Sequence, residues 1–189
     1  SPEAKKLLQA AIEYPATLLL DADALNLLAA NAGLLKKLRQ RPQMTIITPH
    51  PGEASRLLGC STEEVQSNRV ANALQLAEKT HAITVLKGCG TVIATPPNAS
   101  GKDSSRNAQW YINSSGNPGM AAAGMGDVLA GLIGGLALQG VEPLQATLLG
   151  VYLHGAAADS LTAHGVGPVG MTASEVSVEA RRLLNQWLV

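Results

Sequence analysis

"MTIITPHPGEASRLLG", residues 44–59, decides the fold. A short β-branched run stops at Pro49, and helical residues follow as far as Gly59. The stretch reads as a buried strand that hands over to a helix through a loop stiffened by prolines. The same pattern occurs on both sides of it. "ATLLLDA" (16–22) is an apolar run that ends in acids, and "LNLLAANAGLLKKL" (25–38) then returns to helix. "AITVLKG" (82–88) is a third strand, preceded by "STEEVQSNRVANALQLAEKT" (61–80). That segment reads as one long helix opened by a Ser61–Glu64 capping box. "TVIATP" and "AQWYIN" flank the polar stretch "PNASGKDSSRN" (97–107), which predicts a hairpin with a long surface loop. Apolar residues at helical spacing place a helix over 3–13, and further helices over 126–139, 142–164 and about 172–187. The resulting order, αβαβααβββααα, predicts an α/β sandwich with a mostly parallel sheet flanked by helices.

The composition fits one well-buried domain over 1–189. Hydrophobic residues make up 46% and charged residues 15%, which excludes a disordered chain. With no Phe, the core rests on Leu, Ile, Val and Ala. A formal net charge of zero gives no basic excess to attract nucleic acid. The two cysteines, Cys60 and Cys89, stand at no metal-ligand spacing, and so few argue for a reducing compartment. The start reads as a capped amphipathic helix rather than a signal peptide. The apolar run around 128–139 carries three glycines and is too short to span a membrane. A cytoplasmic protein is the expectation.

In such sheets, ligands bind beyond the carboxyl ends of the strands. "DADALN", "TPHPGE" and "KGCGT" follow the three strands, and with the glycine-rich "NSSGNPGMAAAGMGDVLAG" (113–131) four polar clusters are expected on one edge. Side-chain-free N–H groups at a helix N-terminus can cradle phosphate. Gly124 and Gly126 equally suit tight packing or a turn with positive φ. Asp127, in the first turn of the next helix, is either a helix-dipole acid or a general base for a substrate hydroxyl. Lys87 can reach a phosphate, although a plain hairpin turn with an exposed lysine is the simpler reading. Cys89 has no neighbouring His to activate it. His50, between two prolines, is either a loop imidazole with a local hydrogen bond or a positioned binding group, and Glu53 fits the first turn of its helix. Asp21 or Asp23 can ligate a metal, but Asp23 as a helix N-cap explains the pattern better. His154 and Asp159, on an Ala-rich helix, read as packing or interhelical hydrogen bonds. His81 and His164 carry no pattern.

Taken together, "LLLDADALNLLA", "TIITPHPGEASRLLG", "TVLKGCGTVIATP" and "NSSGNPGMAAAGMGDVLAGLIGGLALQG" resemble, in order and spacing, the ADP/ATP-dependent NAD(P)H-hydrate dehydratases. These are the carbohydrate-kinase-like domains of the nicotinamide nucleotide repair proteins, and the bacterial, ADP-using branch is the most similar. The resemblance runs from about residue 16 to the C-terminus. It implies a ribokinase-like three-layer fold. It also implies dehydration of the S form of hydrated NADH or NADPH, in which the hydroxyl accepts a phosphoryl group and phosphate is then eliminated.

By the same resemblance, Lys87, Gly88, Cys89, Gly90 and Thr91 contact ADP or ATP, as do Asn117, Pro118, Gly119, Met120, Gly124 and Gly126. Asp127 is the base beside the hydrated nicotinamide, and His50 contacts the damaged dinucleotide. Glu53 and Asp23 lie near the site or its Mg2+, for which no ligand set is specified. Members of the family assemble as tetramers or larger homo-oligomers. They also carry an additional N-terminal portion of the domain, in bacteria often behind an epimerase domain. The segment would then present an exposed sheet edge. A ribokinase-fold kinase of a hydroxymethylpyrimidine or thiazole alcohol, or an inactive nucleotide-binding fragment, are the competing readings.

Overall fold

The computed structural model describes residues 1–97 and 108–188. Of the expected 97–107 loop, all but Pro97 lies outside the described residues. The chain divides into two units, Ser1–Ile112 and Asn113–Val189.

Among its described residues, the first unit carries a mixed sheet of five strands in the order β1 (Leu18–Leu20), β2 (Thr45–Ile47), β3 (Ile83–Leu86), β4 (Val92–Ala94) and β5 (Trp110–Ile112). Pairing is parallel from β1 to β3 and antiparallel from β3 to β5. The hairpin read from "TVIATP" and "AQWYIN" is therefore present, and β1 lies at the sheet edge. Every residue of β2, β3 and β4 is buried, as their continuous apolar sequences require.

Among the described residues, six helices belong to this unit: α1 (Pro2–Glu13), α2 (Asp23–Ala29), α3 (Ala32–Arg39), α4 (Pro51–Leu58), α5 (Thr62–Ser67) and α6 (Arg69–Thr80). Two expected helices are in fact pairs. The 25–38 helix breaks at Asn31, whose Oδ1 accepts from Leu34 N and starts α3. The 61–80 helix breaks at Asn68, whose Oδ1 accepts from Ala71 N and starts α6. In both cases a short side-chain acceptor competes with the continuing helix. The Ser61–Glu64 capping box is formed as expected. Asp23 is not the N-cap of α2: Ala22 holds that place, at φ 52°, and Asp23 is the first helical residue.

A leucine-rich core joins these helices to the sheet, with Leu25, Leu28, Leu38, Leu76 and Leu86 almost fully buried. Arg41 is buried with it. Its guanidinium donates to the carbonyls of Ala11, Ile12, Tyr14 and Ala16, satisfying the otherwise orphaned C-terminal end of α1. Burial lowers its pKa from the ordinary arginine value.

The second unit is helical: a 3-10 turn at Pro118–Met120, then α7 (Met125–Leu138), α8 (Pro143–Ala163) and α9 (Ala173–Trp187). Small residues let α8 approach α7. A Cβ at Gly150 would meet Ile133 Cγ1 at 2.7 Å and Ile133 backbone at 3.3 Å. A second core of Met125, Leu153, Ala157, Met171, Val176 and Ala180 ties α9 to the pair. Glu179 on α9 accepts from Ser160 Oγ of α8 at 2.6 Å and pairs with Arg182. The Arg182 hydrogen bond, with help from Ser160, lowers its carboxyl pKa to about 2 against the penalty of burial.

Candidate active site

In the first unit, the ends of three neighbouring strands are tied together. Asp21 follows β1 and Lys87 follows β3, with β2 between them. Lys87 Nζ lies 2.8 Å from Asp21 Oδ1, with side chains only 22% and 14% exposed. Lys87 is thus no freely exposed turn lysine. Parallel strands bring the ends of β1 and β3 to one side, and a half-buried ammonium needs a carboxylate there. Asp21, read as a candidate metal ligand, is that partner. Lys87 N also donates to Pro49 O at 2.9 Å, which fixes the end of β3 to the loop after β2.

His50 occupies the N-cap of α4. Its Nδ1 accepts from Gly52 N at 3.0 Å, and Glu53 Oε2 accepts from His50 N at 2.8 Å. This is a capping box with imidazole in the hydroxyl's place. Because Nδ1 accepts, the ring proton sits on Nε2, 3.4 Å from Glu53 Oε1. The local hydrogen bond expected of a loop His exists, and the two prolines and Glu53 hold the ring at the strand end. Glu53 is buried and His50 exposed, so the imidazole is the group that a ligand can reach.

The "KGCGT" turn closes on itself. Gly88 N donates to Thr91 Oγ1 at 3.3 Å, and that hydroxyl donates to Gly88 O at 2.9 Å. Arg69, at the start of α6, grips the turn from its carbonyl side, donating to Leu86 O, Lys87 O and Gly90 O at 2.9, 3.3 and 3.4 Å. Among the described residues no acceptor is found for the N–H groups of Cys89 and Gly90. The turn therefore offers backbone donors near two cations, an arrangement suited to an anion. Cys89 is a free, exposed thiol.

Sequence reading missed Arg69. The signal for it was a cation at a helix N-terminus, where the dipole disfavours positive charge. Asn68 had to be seen as a cap before Arg69 could be placed there.

In the second unit, the 113–120 loop lies on α8. Ser115 Oγ donates to Tyr152 O at 3.1 Å, while Gly116 N and Asn117 Nδ2 donate to the two carboxylate oxygens of Asp159 at 2.7 and 3.0 Å. Asn117 Oδ1 accepts from Gly119 N at 3.0 Å and so caps the 3-10 turn. Asp159 is thus a helix-to-loop tether rather than an interhelical contact.

Gly124, at φ 82°, is the N-cap of α7 and supplies no side-chain cap. The backbone N–H groups that open this helix, including those of Met125 and Gly126, have no intrahelical acceptor. Gly126 lies inside the helix without positive φ, so only Gly124 needs glycine for its conformation. Asp127 is exposed in the first turn, with no side-chain partner among the described residues. This end can receive an anion beside a free carboxylate.

The described residues contain no group of three His, Cys, Asp or Glu side chains able to cage a metal ion. No described helix is long and apolar enough to cross a membrane.

Comparison with known proteins converges on one family. The family model described as Carb_kinase, NAD(P)H-hydrate dehydratase, matches residues 1–182. The bifunctional NAD(P)H-hydrate repair enzyme Nnr of Escherichia coli (strain K12) is 44% identical over 181 residues, covering 96% of this chain and 32% of the relative. The ADP-dependent (S)-NAD(P)H-hydrate dehydratase of Neisseria meningitidis is 41% identical over 167 residues, covering 88% of this chain and 53% of the relative.

Among solved structures, the ADP/ATP-dependent NAD(P)H-hydrate dehydratase of Bacillus subtilis, co-crystallised with ATP and Mg2+, superposes with a TM-score of 0.81 at 28% identity. It covers 99% of this chain and 61% of that one. The match bears out the expected ribokinase-like α/β class. This chain spans about a third to a half of the length of these curated relatives. On the match over residues 1–182, the chain belongs to the NAD(P)H-hydrate dehydratase family.

Proposed function

We propose that this chain is a portion of one domain that restores the S form of hydrated NADH or NADPH to NADH or NADPH at the expense of ADP or ATP. One observation carries the reading: α7 opens on Gly124 with no side-chain cap and presents the exposed carboxylate of Asp127 in its first turn. A phosphoryl group and its acceptor hydroxyl need that pairing of bare N–H donors with a free base. The named activities of relatives at 44% and 41% identity support it.

In this proposal the hydroxyl of the hydrated nicotinamide gives its proton to Asp127 while its oxygen attacks the terminal phosphorus. AMP leaves when the donor is ADP, and ADP when it is ATP. The C–O bond then breaks, phosphate departs with the bonding pair, and loss of a proton from the neighbouring carbon restores the ring double bond. Positioning and charge stabilisation do most of the work in such transfers. Lys87, Gly88, Cys89, Gly90 and Thr91 hold the nucleotide, together with Asn117, Pro118, Gly119, Met120, Gly124 and Gly126. His50, with Glu53 behind it, binds the damaged dinucleotide. Mg2+ supplies charge neutralisation on the phosphates. The protein works in the cytoplasm as a homo-oligomer, with an N-terminal portion of the domain completing the site.

The test is recovery of absorbance at 340 nm when the full-length protein meets hydrated NADH, Mg2+ and ADP or ATP. Recovery that depends on the nucleotide is the expected result. A stable phosphorylated product without recovery would assign the site to a small-molecule kinase instead.

A further inference from the structure

We propose that Asp159 is the positioning residue of the 116–120 loop, setting by one carboxylate the geometry with which that loop meets the nucleotide. The inference rests on the reading of Asn117–Met120 as nucleotide-binding. Tyr152, Gly155 and Asp159 stand at i, i+3 and i+7 on α8, one face of the helix. Each supports the loop differently. The Tyr152 carbonyl accepts from Ser115 Oγ at 3.1 Å. Gly155 makes room: a Cβ there would meet Ser115 Oγ at 2.2 Å and the Ser115 carbonyl carbon at 2.7 Å. Asp159 then takes two donors at once, Gly116 N on Oδ2 and Asn117 Nδ2 on Oδ1.

The second of these bonds reaches beyond Asn117. A side-chain amide has one oxygen and one NH2, and the acceptor facing the NH2 fixes which way it points. With Asp159 fixing Nδ2, Oδ1 is left for Gly119 N, at 3.0 Å. That bond caps the 3-10 turn Pro118–Met120. Asp159 therefore governs the Gly119 amide without touching it. Asn at 159 would place an NH2 against either Gly116 N–H or Asn117 Nδ2. Reversing the pair, Asp159→Asn with Asn117→Asp, gives every donor an acceptor again: Gly116 N to Asn Oδ1, Asn Nδ2 to the new carboxylate, and Gly119 N to its second oxygen.

The experiment compares the full-length protein, Asp159→Asn and the Asp159→Asn/Asn117→Asp double variant. Amide hydrogen exchange at Gly116 and Gly119 is read by NMR, and steady-state kinetics use hydrated NADH with ADP or ATP. In Asp159→Asn, Gly119 exchange should speed up about tenfold and the nucleotide KM should rise about tenfold, the size of one lost charge-assisted hydrogen bond. The KM for hydrated NADH should stay within about twofold. The double variant should restore protection at both glycines.

Unchanged exchange at Gly119 in Asp159→Asn, or no restoration in the double variant, overturns the relay. Equal rises in both KM values, or none, overturn the positioning role. A parent protein that recovers no absorbance with either nucleotide overturns the dehydratase reading, and the exchange rates then decide the relay by themselves.

Discussion

The Leu86–Thr91 turn and the Asn113–Met120 loop are both glycine-bearing, and opposite charges hold them. Arg69 grips the turn through the carbonyls of Leu86, Lys87 and Gly90. Asp159 grips the loop through the Gly116 N–H and the Asn117 amide. The sign of the tether decides what remains for a ligand. A cation consumes carbonyls, leaves N–H groups unspent and adds positive charge, all of which favours phosphate. An anion consumes donors and adds negative charge, so the 113–120 loop has less to offer phosphate directly. In the same unit the start of α7 has no side-chain cap and keeps its N–H groups unspent. In the proposed function the turn serves binding and the α7 end, with Asp127, serves chemistry.

The sharpest way to break that division is Asp127→Ala. Turnover should fall by about a thousandfold, within the range of a lost general base, while nucleotide affinity stays within about twofold. Single-turnover kinetics and equilibrium ADP titration separate the two. Equal loss of both would return Asp127 to its bland reading as a helix-dipole acid.

The next largest effect is on pH. His154 on α8 is buried, its Nε2 has no partner among the described residues, and burial lowers its pKa to about 4. The unfolded chain takes up the proton near pH 6.5 and the folded one only near 4, so His154 costs nothing above 6.5. Stability falls as pH drops through that window, by about 3 kcal/mol in all. Glu179, with its carboxyl held at about 2 by Arg182, extends the fall. Its stabilisation is present above the ordinary carboxyl range and is lost from about 4.5 downward. Both groups belong to the second unit. Urea midpoints at a series of pH values should lose the 6.5-to-4 slope in His154→Leu and the lower part in Glu179→Gln. A profile unmoved by His154→Leu would show that the imidazole takes up its proton as readily in the folded chain as in the unfolded one.

Arg69→Met tests the cationic tether. It removes three carbonyl partners, and the expected cost is about 2 kcal/mol in urea unfolding. The nucleotide KM should rise about tenfold as the turn loosens, with a smaller change for hydrated NADH. Affinity retained at lower stability would mean that the turn does not bind the nucleotide.

These tethers also mark where the sequence stopped being legible. The strand–loop–helix grammar of 16–59 was plain because strand burial and proline stops are local signals. The glycine loop and Asp127 stood out for the same reason. Asn31 and Asn68 were hidden as helix breaks because a polar residue inside an amphipathic pattern is ordinary until its side chain is seen to cap. The roles of Arg69 and Asp159 were hidden because their partners lie on turns and loops 17 and 43 residues away. One weak local trace existed. Arg69 lies at a helix N-terminus and Asp159 about one turn from a helix C-terminus, each opposed to the dipole. A charge placed against its helix is worth asking what else it holds.

The smallest effect expected comes from the pair that joins β1 to β3. Lys87 and Asp21 are half-buried at 2.8 Å, so breaking the pair from one side leaves a partly desolvated charge. Asp21→Asn and Lys87→Met should each cost about 1 kcal/mol or somewhat more, and the double variant less than their sum, with a coupling of about 1 kcal/mol. The nucleotide separates the two ends of the pair. If Lys87 is the group that meets phosphate, Lys87→Met weakens ADP binding beyond its effect on stability. Asp21→Asn then frees the ammonium and leaves affinity equal or slightly tighter, since the carboxylate competes with phosphate for it. Equal weakening by both would mean that Lys87 serves the turn as a strut. Arg69 would then be the only one of the turn's two cations whose charge matters to the nucleotide.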